Sequence, residues 1–587
     1  MKNIRKSILL CLPLLLASLA LSACGGGGGG SSPLAISIAI APTSANVPVG
    51  GTLQFSATVT NTNNTGVTWA VSGTGDVGAI SSSGVYTAPQ SVPSPATVTV
   101  TATSQANSTA KATATITVVA AGQGGYTDAS LKGTYVFSFR SIDTNNISSY
   151  GAGVVTADGN GNLTAGLEDF NQGSIGFQPN IQFTGNYTIN ADGTGTATLG
   201  FATGTVQWKF VMLADGSARF IEFNSTLSGS GTLEPQDQSA LAASGFAGNY
   251  VFQLNGDSTN GTIAQAGVLT FDANGNITSG TEDVNDQGTV TSNAAVTGTY
   301  VLGSNGRATA QVTSSLGTNH YVFYIVNANK VRIVESDYPF PATQGVALRQ
   351  SASAFSNSTL KGGYVFASTA IGSNDYIDAA GQFNADGNGN LTAGSLDQDN
   401  LGTPTSTTLG ASQYSVASNG RTTVKLAPGG GLNPVNLAVY LADATHGFAV
   451  GLDSSLVTTG ELFQQTDTPF SLASLQGSYG IHLAGFNVDT AGNTRYLEIS
   501  AQLTIDNAGN ATGREDVNNQ GTSPLAGQVT GGTFTMTSSG RGTLVLNETW
   551  NPNGSTSRFA VYMISKSRFL LVGLDSFQLL QGTGQVQ

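Results

Sequence analysis

The sequence predicts an all-β protein made of several sheet domains that follow one another along the chain. Apolar and polar residues alternate over short segments, and turns rich in Gly and Asn separate these segments roughly every 8–12 residues. After residue 32 almost no stretch has the 3.6-residue period of an amphipathic helix. The chain has 587 residues, which is enough for several domains. We therefore expect a string of β domains.

Residues 1–23 stand apart from this pattern. Basic residues near the N-terminus precede an apolar stretch at 8–21, which is shorter than the ~20 residues of a permanent membrane span. The segment Leu21-Ser-Ala-Cys24 resembles the lipobox of bacterial lipoproteins. The resemblance implies that residues 1–23 are a signal peptide, that Cys24 is lipidated, and that the membrane is one partner. Because Gly25 stands where an Asp retains enterobacterial lipoproteins in the inner membrane, we expect the outer membrane or cell surface.

Composition excludes two other features of the mature protein. Cys11 leaves with the signal peptide and Cys24 carries lipid, so no disulfide is expected. The net charge is −13 and no run of basic residues occurs, which argues against nucleic acid as a partner because phosphate contacts need clustered Lys and Arg.

Residues 24–34 form a flexible linker, and residues 35–119 form the first domain. Apolar residues at 53, 55, 57 and 59 alternate with polar ones, which predicts a strand with one buried face. Trp69 is expected between two sheets. These segments resemble the group 2 bacterial immunoglobulin-like domain. The resemblance implies a β-sandwich that acts as a spacer or contributes to adhesion.

From residue 127 onward the chain repeats itself four times. An opening Gly-x-Tyr strand recurs at Tyr135, Tyr250, Tyr364 and Tyr479, in steps of 115, 114 and 115 residues. This period is too long for a solenoid unit of roughly 20–50 residues, so each copy should have its own core. The predicted domains are residues 127–237, 240–350, 354–466 and 470–587.

Each copy contains about eight predicted strands joined by short turns, as in consecutive hairpins. Eight such strands either close into an up-and-down β-barrel or split into a β-sandwich. We favour the barrel, because closure removes exposed edges from a protein with few edge charges. The Gly-x-Tyr opening also resembles, over one short motif, the opening of lipocalin- and avidin-type barrels.

A turn rich in Asp and Asn follows the second strand of each copy, as in Asp158-Gly-Asn-Gly-Asn162. It matches part of a calcium loop, but the next positions differ from that loop, and an Asx turn explains it better. Calcium remains a candidate cofactor, with Asp283, Asn285 and Asp286 as candidate ligands in a loop cluster. No other cofactor is expected.

The aromatic residues of the first strands have two interpretations. Packing in the barrel core is the simpler one, and lining of a small-molecule site inside the barrel is the other. The candidate ligand-lining residues are Tyr135, Phe137, Tyr250, Phe252, Tyr364 and Phe366.

The sequence has few residues in arrangements that are suited to catalysis. Adjacent acids such as Glu282 and Asp283 point to opposite faces of a strand, so they cannot act as a facing pair. The three histidines, His320, His446 and His482, have no second ligand at metal spacing. We therefore expect no enzyme.

The leading hypothesis is a non-catalytic, lipid-anchored protein of the cell envelope, whose repeated domains serve adhesion or bind extracellular polysaccharide or protein. The alternative is a carrier of a small molecule or glycan in the barrel interiors.

Overall fold

The structure is a computed structural model that describes residues 35–49, 52–89, 92–119, 125–173, 175–351, 354–488, 494–551 and 556–587. The predicted signal peptide, Cys24 and the linker lie outside the described residues. Within the described residues, no helix is both long and apolar enough to cross a membrane.

Nine short strands form small sheets around one apolar core at the N-terminal end. They are β1 (Ser37–Ala41), β2 (Ser44–Pro48), β3 (Thr52–Gln54), β4 (Ser56–Thr60), β5 (Val67–Ser72), β6 (Ala79–Ile80), β7 (Val85–Thr87), β8 (Thr97–Ser104) and β9 (Lys111–Val119). The sheets are β1-β4, β2-β9-β8-β5 and β3-β7-β6. The half-buried Trp69 packs against Phe55, with ring centroids 6.3 Å apart. The all-β prediction is confirmed here, and membership of the immunoglobulin-like family stays a prediction.

The first repeat closes into an eight-stranded antiparallel barrel, called barrel 1. Its strands are β10 (Lys132–Asp143), β11 (Ser148–Asp158), β12 (Asn162–Gln172), β13 (Gly176–Ile189), β14 (Thr194–Phe201), β15 (Gly204–Met212), β16 (Ala218–Glu222) and β17 (Leu227–Pro235). Each strand pairs with the next, and β10 pairs with β17 to close the barrel.

Barrels 2 and 3 have the same order, but their fourth strand is interrupted. Barrel 2 contains β18 (Gly248–Asp257), β19 (Thr262–Phe271), β20 (Asn276–Asp286), β21 (Thr289–Ala295), β22 (Thr297–Leu302), β23 (Arg307–Ser314), β24 (Gly317–Asn327), β25 (Lys330–Glu335) and β26 (Ala342–Arg349). Barrel 3 contains β27 (Lys361–Ile371), β28 (Tyr376–Asp386), β29 (Asn390–Asn400), β30 (Thr403–Leu409), β31 (Ser412–Val416), β32 (Arg421–Leu426), β33 (Val435–Leu441), β34 (His446–Gly451) and β35 (Val457–Gln464). Strands β20 and β29 each pair with both halves of the interrupted strand.

Barrel 4 is uninterrupted. It contains β36 (Gly477–Val488), β37 (Thr494–Ile505), β38 (Ala511–Asn519), β39 (Leu525–Met536), β40 (Arg541–Glu548), β41 (Thr556–Ser565), β42 (Arg568–Gly573) and β43 (Gln578–Val586). Short helical turns precede the first strand of the barrels, at Asp128–Ser130, Gln238–Ala240, Ala243–Phe246, Asn357–Thr359 and Leu472–Leu475. The four barrels confirm the predicted closed topology, and the sandwich alternative is not observed.

The Asp/Asn turn of each repeat is an Asx turn. In barrel 1, Asp158 Oδ1 accepts hydrogen bonds from the backbone N–H groups of Asn160 and Asn162, at 2.7 and 3.1 Å. Its second oxygen accepts one from the Asn162 side chain at 2.8 Å. The same bonds recur around Asp272, Asp386 and Asp506. The turn therefore satisfies its own backbone, which is the local role that such sequences favour.

The barrel interiors are filled by side chains. Phe137 is fully buried in barrel 1 and packs against Phe183 and Trp208, with centroids 5.8 and 5.5 Å away. The Gly-x-Tyr tyrosines also close one barrel end, because the hydroxyls of Tyr250 and Tyr364 donate to backbone carbonyls at 2.7 Å. An eight-stranded barrel is just wide enough for such a core.

The four barrels are arranged in a ring and not as a string. The first three strands of each barrel pack against the last three strands of the next barrel. The last contact closes the ring, because β36, β37 and β38 of barrel 4 pack against β15, β16 and β17 of barrel 1. Repeated head-to-tail contacts give a closed assembly when the rotations close, here with a pseudo-four-fold axis between the barrels.

Candidate functional site: the axial cavity of the barrel ring

The same ion pair holds each of the first three junctions. At the second junction, the fully buried Asp283 of barrel 2 receives two hydrogen bonds from Arg421 of barrel 3, at 2.6 and 2.7 Å. The hydroxyl of Tyr440, on the neighbouring strand, donates to the same carboxylate at 2.6 Å. The equivalent groups are Asp169 with Arg307 and Tyr324 at the first junction, and Asp397 with Arg541 and Tyr562 at the third.

Amide side chains at two positions of the repeat donate hydrogen bonds to backbone carbonyls across the junctions. Asn285 Nδ2 donates to the carbonyls of Gly451, Asp453 and Leu456 in the next barrel, at 3.0–3.1 Å. A glutamine that follows the last strand of each barrel donates to two carbonyls of a neighbouring barrel; these glutamines are Gln236, Gln350, Gln465 and Gln587. The junctions therefore fix the barrels in one register around the axis.

The ring encloses an axial cavity that is lined by the first two and the last two strands of the barrels. These strands bring residues of different chemistry to equivalent positions. At one such position, the first strands of the four barrels carry Ser138, Gln253, Ala367 and His482. The barrels are similar in fold, but the cavity wall is asymmetric.

One end of the cavity, here called the tyrosine chamber, has a volume of about 440 Å³. Its lining combines aromatic rings, carboxyl groups and one guanidinium: Tyr150, Tyr376, Tyr496, Asp257, Asp378, Glu498 and Arg140. The Tyr150 hydroxyl of barrel 1 donates to Asp257 of barrel 2 at 3.0 Å. The guanidinium of Arg140 lies 5.7 Å from the ring centroid of Tyr496 in barrel 4. All four barrels contribute to this chamber.

One carboxyl group in the tyrosine chamber has an altered acidity. Asp378 is 1% exposed and accepts a hydrogen bond from Thr369 at 2.6 Å. Burial raises the pKa of Asp378 to about 7, against the opposing effect of the Thr369 hydrogen bond. The group is therefore partly protonated near neutral pH and can both donate and accept a hydrogen bond to a polar ligand.

The remainder of the axis, here called the arginine chamber, consists of adjoining cavities of about 270, 230 and 250 Å³. Its charged lining comprises Arg219, Lys330, Arg332, Arg568, Glu234 and Glu461, with Asp215 at the exposed rim. Lys330 and Arg332 of barrel 2 both contact Glu234 of barrel 1, at 2.5 and 2.6 Å. Burial alone would raise the pKa of Glu234, but these two cations outweigh it and hold the pKa well below its usual value.

The three calcium candidates do not share one site. Asp283 is neutralised by Arg421, and Asn285 donates its amide N–H groups to carbonyls in barrel 3. Asp286 instead accepts hydrogen bonds from Ser258 and Asn260, at 2.5 and 2.7 Å. Among the described residues there is no group of three or more His, Cys, Asp or Glu that could hold a metal. Calcium binding stays a prediction. The geometry argues against these three residues as ligands, because the Asp283 carboxylate is already paired with Arg421.

The six aromatic candidates all lie in barrel cores. Each is at most 8% exposed and belongs to the apolar cluster of its own barrel; they are Tyr135, Phe137, Tyr250, Phe252, Tyr364 and Phe366. Their packing agrees with the core interpretation. The adjacent acids separate as expected, since Glu282 is buried near Glu335 of its own barrel while Asp283 faces barrel 3.

Sequence reasoning missed the axial cavity and its residues. A signal was present for the junctions: an arginine follows the second Gly turn in three repeats, at Arg307, Arg421 and Arg541, in a chain with only 9% charged residues. Its recurrence at one position, opposite a recurring acidic strand end, could have suggested contacts between repeats. The chamber residues recur less regularly, since Arg219 is matched by an arginine only in barrel 2 and Tyr376 by a tyrosine only in barrel 4, so their signal is weaker.

Comparisons with known proteins give little more. No protein-family model matches the chain, and no curated protein matches its sequence. Transferrin binding protein B from Haemophilus parasuis is similar over 65% of this chain and 83% of its own, at 9% identity and a TM-score of 0.17. Kievitone hydratase from Nectria haematococca is similar over 60% and 90%, at 10% identity and a TM-score of 0.15. Intact Ap-TbpB, with N and C lobes, is similar over 77% and 76%, at 9% identity and a TM-score of 0.12. Similarities this weak carry no argument about function.

Proposed function

We propose that this chain is a non-catalytic binding protein of the cell envelope that holds a small saccharide-like molecule in the tyrosine chamber of its barrel ring. The lipid anchor predicted at Cys24 would keep the ring at the membrane, and residues 35–119 would act as a spacer. The observation that carries the proposal is the lining of the chamber by all four barrels, with aromatic rings beside carboxyl groups and amides.

The chemistry of the lining suits a sugar. A saccharide has apolar C–H faces and a rim of hydroxyl groups, and tyrosine offers both an apolar ring and a polar hydroxyl. Tyr376 and Tyr496 each lie against Phe486, with ring centroids 4.5 and 4.3 Å apart, so their rings are held in place. Asp257 and Asp378 add hydrogen-bonding groups around them. A few polar groups on an aromatic wall are typical of small-molecule sites.

Binding within the barrels is the weaker alternative. The predicted ligand-lining aromatics are packed in the cores, and a ligand there would have to displace them. The axial cavity offers space without such rearrangement. Binding at the axis also requires the complete ring, since each barrel contributes only part of the wall.

The test is calorimetric titration of the full chain with a panel of neutral oligosaccharides. We expect saturable binding of at least one of them, weakened by about tenfold or more in Tyr376→Ala, which removes roughly 1.4 kcal/mol or more of contact. Tyr338→Ala is the matched control, because Tyr338 is 70% exposed outside the cavity. Equal binding by the Tyr376 variant would contradict the proposal. Cleavage of an oligosaccharide that is lost in Asp378→Asn would replace it with an enzyme.

A further inference from the structure

We propose that the arginine chamber binds an oxyanion, a carboxylate, sulfate or phosphate group of an extracellular ligand, through the guanidinium groups of Arg219 and Arg568. This goes beyond the proposed sugar binding, because it concerns other residues and holds even if the tyrosine chamber binds no saccharide. Both arginines line the same two adjoining cavities on the axis.

The two arginines differ from the other cations of the chamber in having no protein acceptor. Lys330 and Arg332 are engaged by Glu234, and Glu461 lies 3.3 Å from His446. Among the described residues, the guanidinium groups of Arg219 and Arg568 donate no hydrogen bond and form no ion pair, and Arg568 Nε is completely buried. The Arg568 guanidinium instead lies over the Phe463 ring, 4.5 Å from its centroid. Each guanidinium has five donors, so both can engage an oxyanion.

Their charges also act on each other. Burial and the nearby charge of Arg568 together lower the pKa of Arg219 to about 10, against the opposing charges of Glu234 and Glu461. Burial likewise lowers the pKa of Lys330 to about 8, helped by the charge of Arg332. The cations of the chamber outnumber its carboxylates, Glu234, Glu461 and the rim residue Asp215, inside a protein whose net charge is −13. A bound anion would relieve both the repulsion and the missing hydrogen bonds.

The fold does not require arginine at these positions. The position of Arg219 holds Arg332 in barrel 2, but Phe448 in barrel 3 and Leu570 in barrel 4, and these two are buried in the apolar contacts between barrels. The position of Arg568 holds Ser217 in barrel 1, Lys330 in barrel 2 and His446 in barrel 3. Both arginines are half-buried and have no acceptor for their guanidinium groups, so they do not stabilise the empty ring. A function in ligand binding explains why the ring contains them.

The test is calorimetric titration of the full chain with sodium sulfate and with sodium glucuronate, at constant ionic strength, with glucose as the uncharged probe. We expect saturable binding of at least one anion and none of glucose at the arginine chamber. Arg219→Gln and Arg568→Gln should each weaken anion binding about tenfold or more, equivalent to roughly 1.4 kcal/mol. Arg558→Gln, at an exposed position, should leave it unchanged.

Two readouts separate this role from a structural one. Sulfate binding alone would identify a tetrahedral sulfate or phosphate group, and glucuronate binding alone a carboxylate; either supports the proposal. In the absence of anions, both Gln variants should unfold at the same or a higher temperature than the parent, because each removes an unpaired, half-buried charge. No saturable binding, binding unaffected by both substitutions, or lower thermal stability of both variants would overturn it.

Discussion

The first three junctions of the ring differ from the fourth, although all four use equivalent strands. At the first three, a buried Asp meets an Arg and a Tyr of the next barrel. At the fourth, Asp516 of barrel 4 occupies the Asp position, but Thr194 and Val211 of barrel 1 occupy the positions of Arg and Tyr. The ion pair there is instead Arg514 with Asp192, at 3.5 Å, and Arg514 is 63% exposed.

The fourth junction also has a polar residue where the first three have an apolar one. Ala152, Ala266 and Ala380 lie beside the buried Asp at the first three junctions, whereas Ser500 is the equivalent at the fourth. The fourth junction keeps the hydrogen bonds from the junction asparagine to the backbone, since Asn518 Nδ2 donates to the carbonyls of Glu222 and Leu227 at 2.5 and 2.6 Å. Once three junctions have formed, the fourth surfaces are already close together, and this effective concentration lets a weaker contact close the ring.

The largest expected difference comes from breaking an inner ion pair. Arg421→Ala leaves the fully buried Asp283 without its cation, so we expect the free energy of unfolding to fall by about 3–5 kcal/mol. Arg514→Ala, at the closing junction, should cost about 0–1 kcal/mol because that pair is exposed. Urea denaturation of both variants makes the measurement. Equal losses would show that the two kinds of junction are energetically alike.

A smaller effect is expected at the position of the junction asparagine, where the third junction has Asp399. This carboxyl is fully buried, and neither oxygen has a hydrogen-bond donor at normal geometry. Asp399→Asn should stabilise the ring by about 1–2 kcal/mol at pH 7, because it supplies the amide that the equivalent positions have. The reverse change, Asn518→Asp, should destabilise the closing junction by a similar amount. Thermal unfolding of both variants decides the matter.

The pH dependence of these variants gives an independent check. Burial raises the pKa of Asp399 to about 6, so the folded state keeps a proton that the unfolded chain loses near pH 4. The contribution of Asp399 to stability is complete below about pH 4 and is lost as the pH rises to about 6. The difference in unfolding temperature between Asp399→Asn and the parent should therefore grow across this range. A difference in unfolding temperature that stays constant over this pH range would contradict the raised pKa of Asp399.

The smallest expected effect is a gain at the closing junction. The double substitution Thr194→Arg with Val211→Tyr places an Arg and a Tyr opposite Asp516, in the register of the inner junctions. We expect a gain of about 1 kcal/mol, because buried ion pairs largely offset their own desolvation. Hydrogen exchange of the β16 and β37 amides should slow. Unchanged or faster exchange would mean that register alone does not transfer the inner geometry.

The barrels could be predicted from the sequence because their determinants are local. Alternating residues, the Asx turn at Asp158 and the recurring Gly-x-Tyr strand all act within one repeat. The ring could not be predicted in this way. Asp283 and Arg421 are 138 residues apart, and in the sequence neither differs from an ordinary charged residue at the end of a strand. The chamber arginines carry less signal, since the position of Arg219 is an arginine in barrel 2 but Phe448 and Leu570 in barrels 3 and 4.

A ring of four barrels in one polypeptide also differs in kind from a ring of four identical subunits. In an identical tetramer every residue at the axis appears four times, so one arginine would place four like charges around the same point. Here the equivalent axial positions hold Ser138, Gln253, Ala367 and His482. Each wall of the cavity can thus be altered by a single codon while the other three stay unchanged. This freedom allows the ring to fit a ligand that has no symmetry of its own.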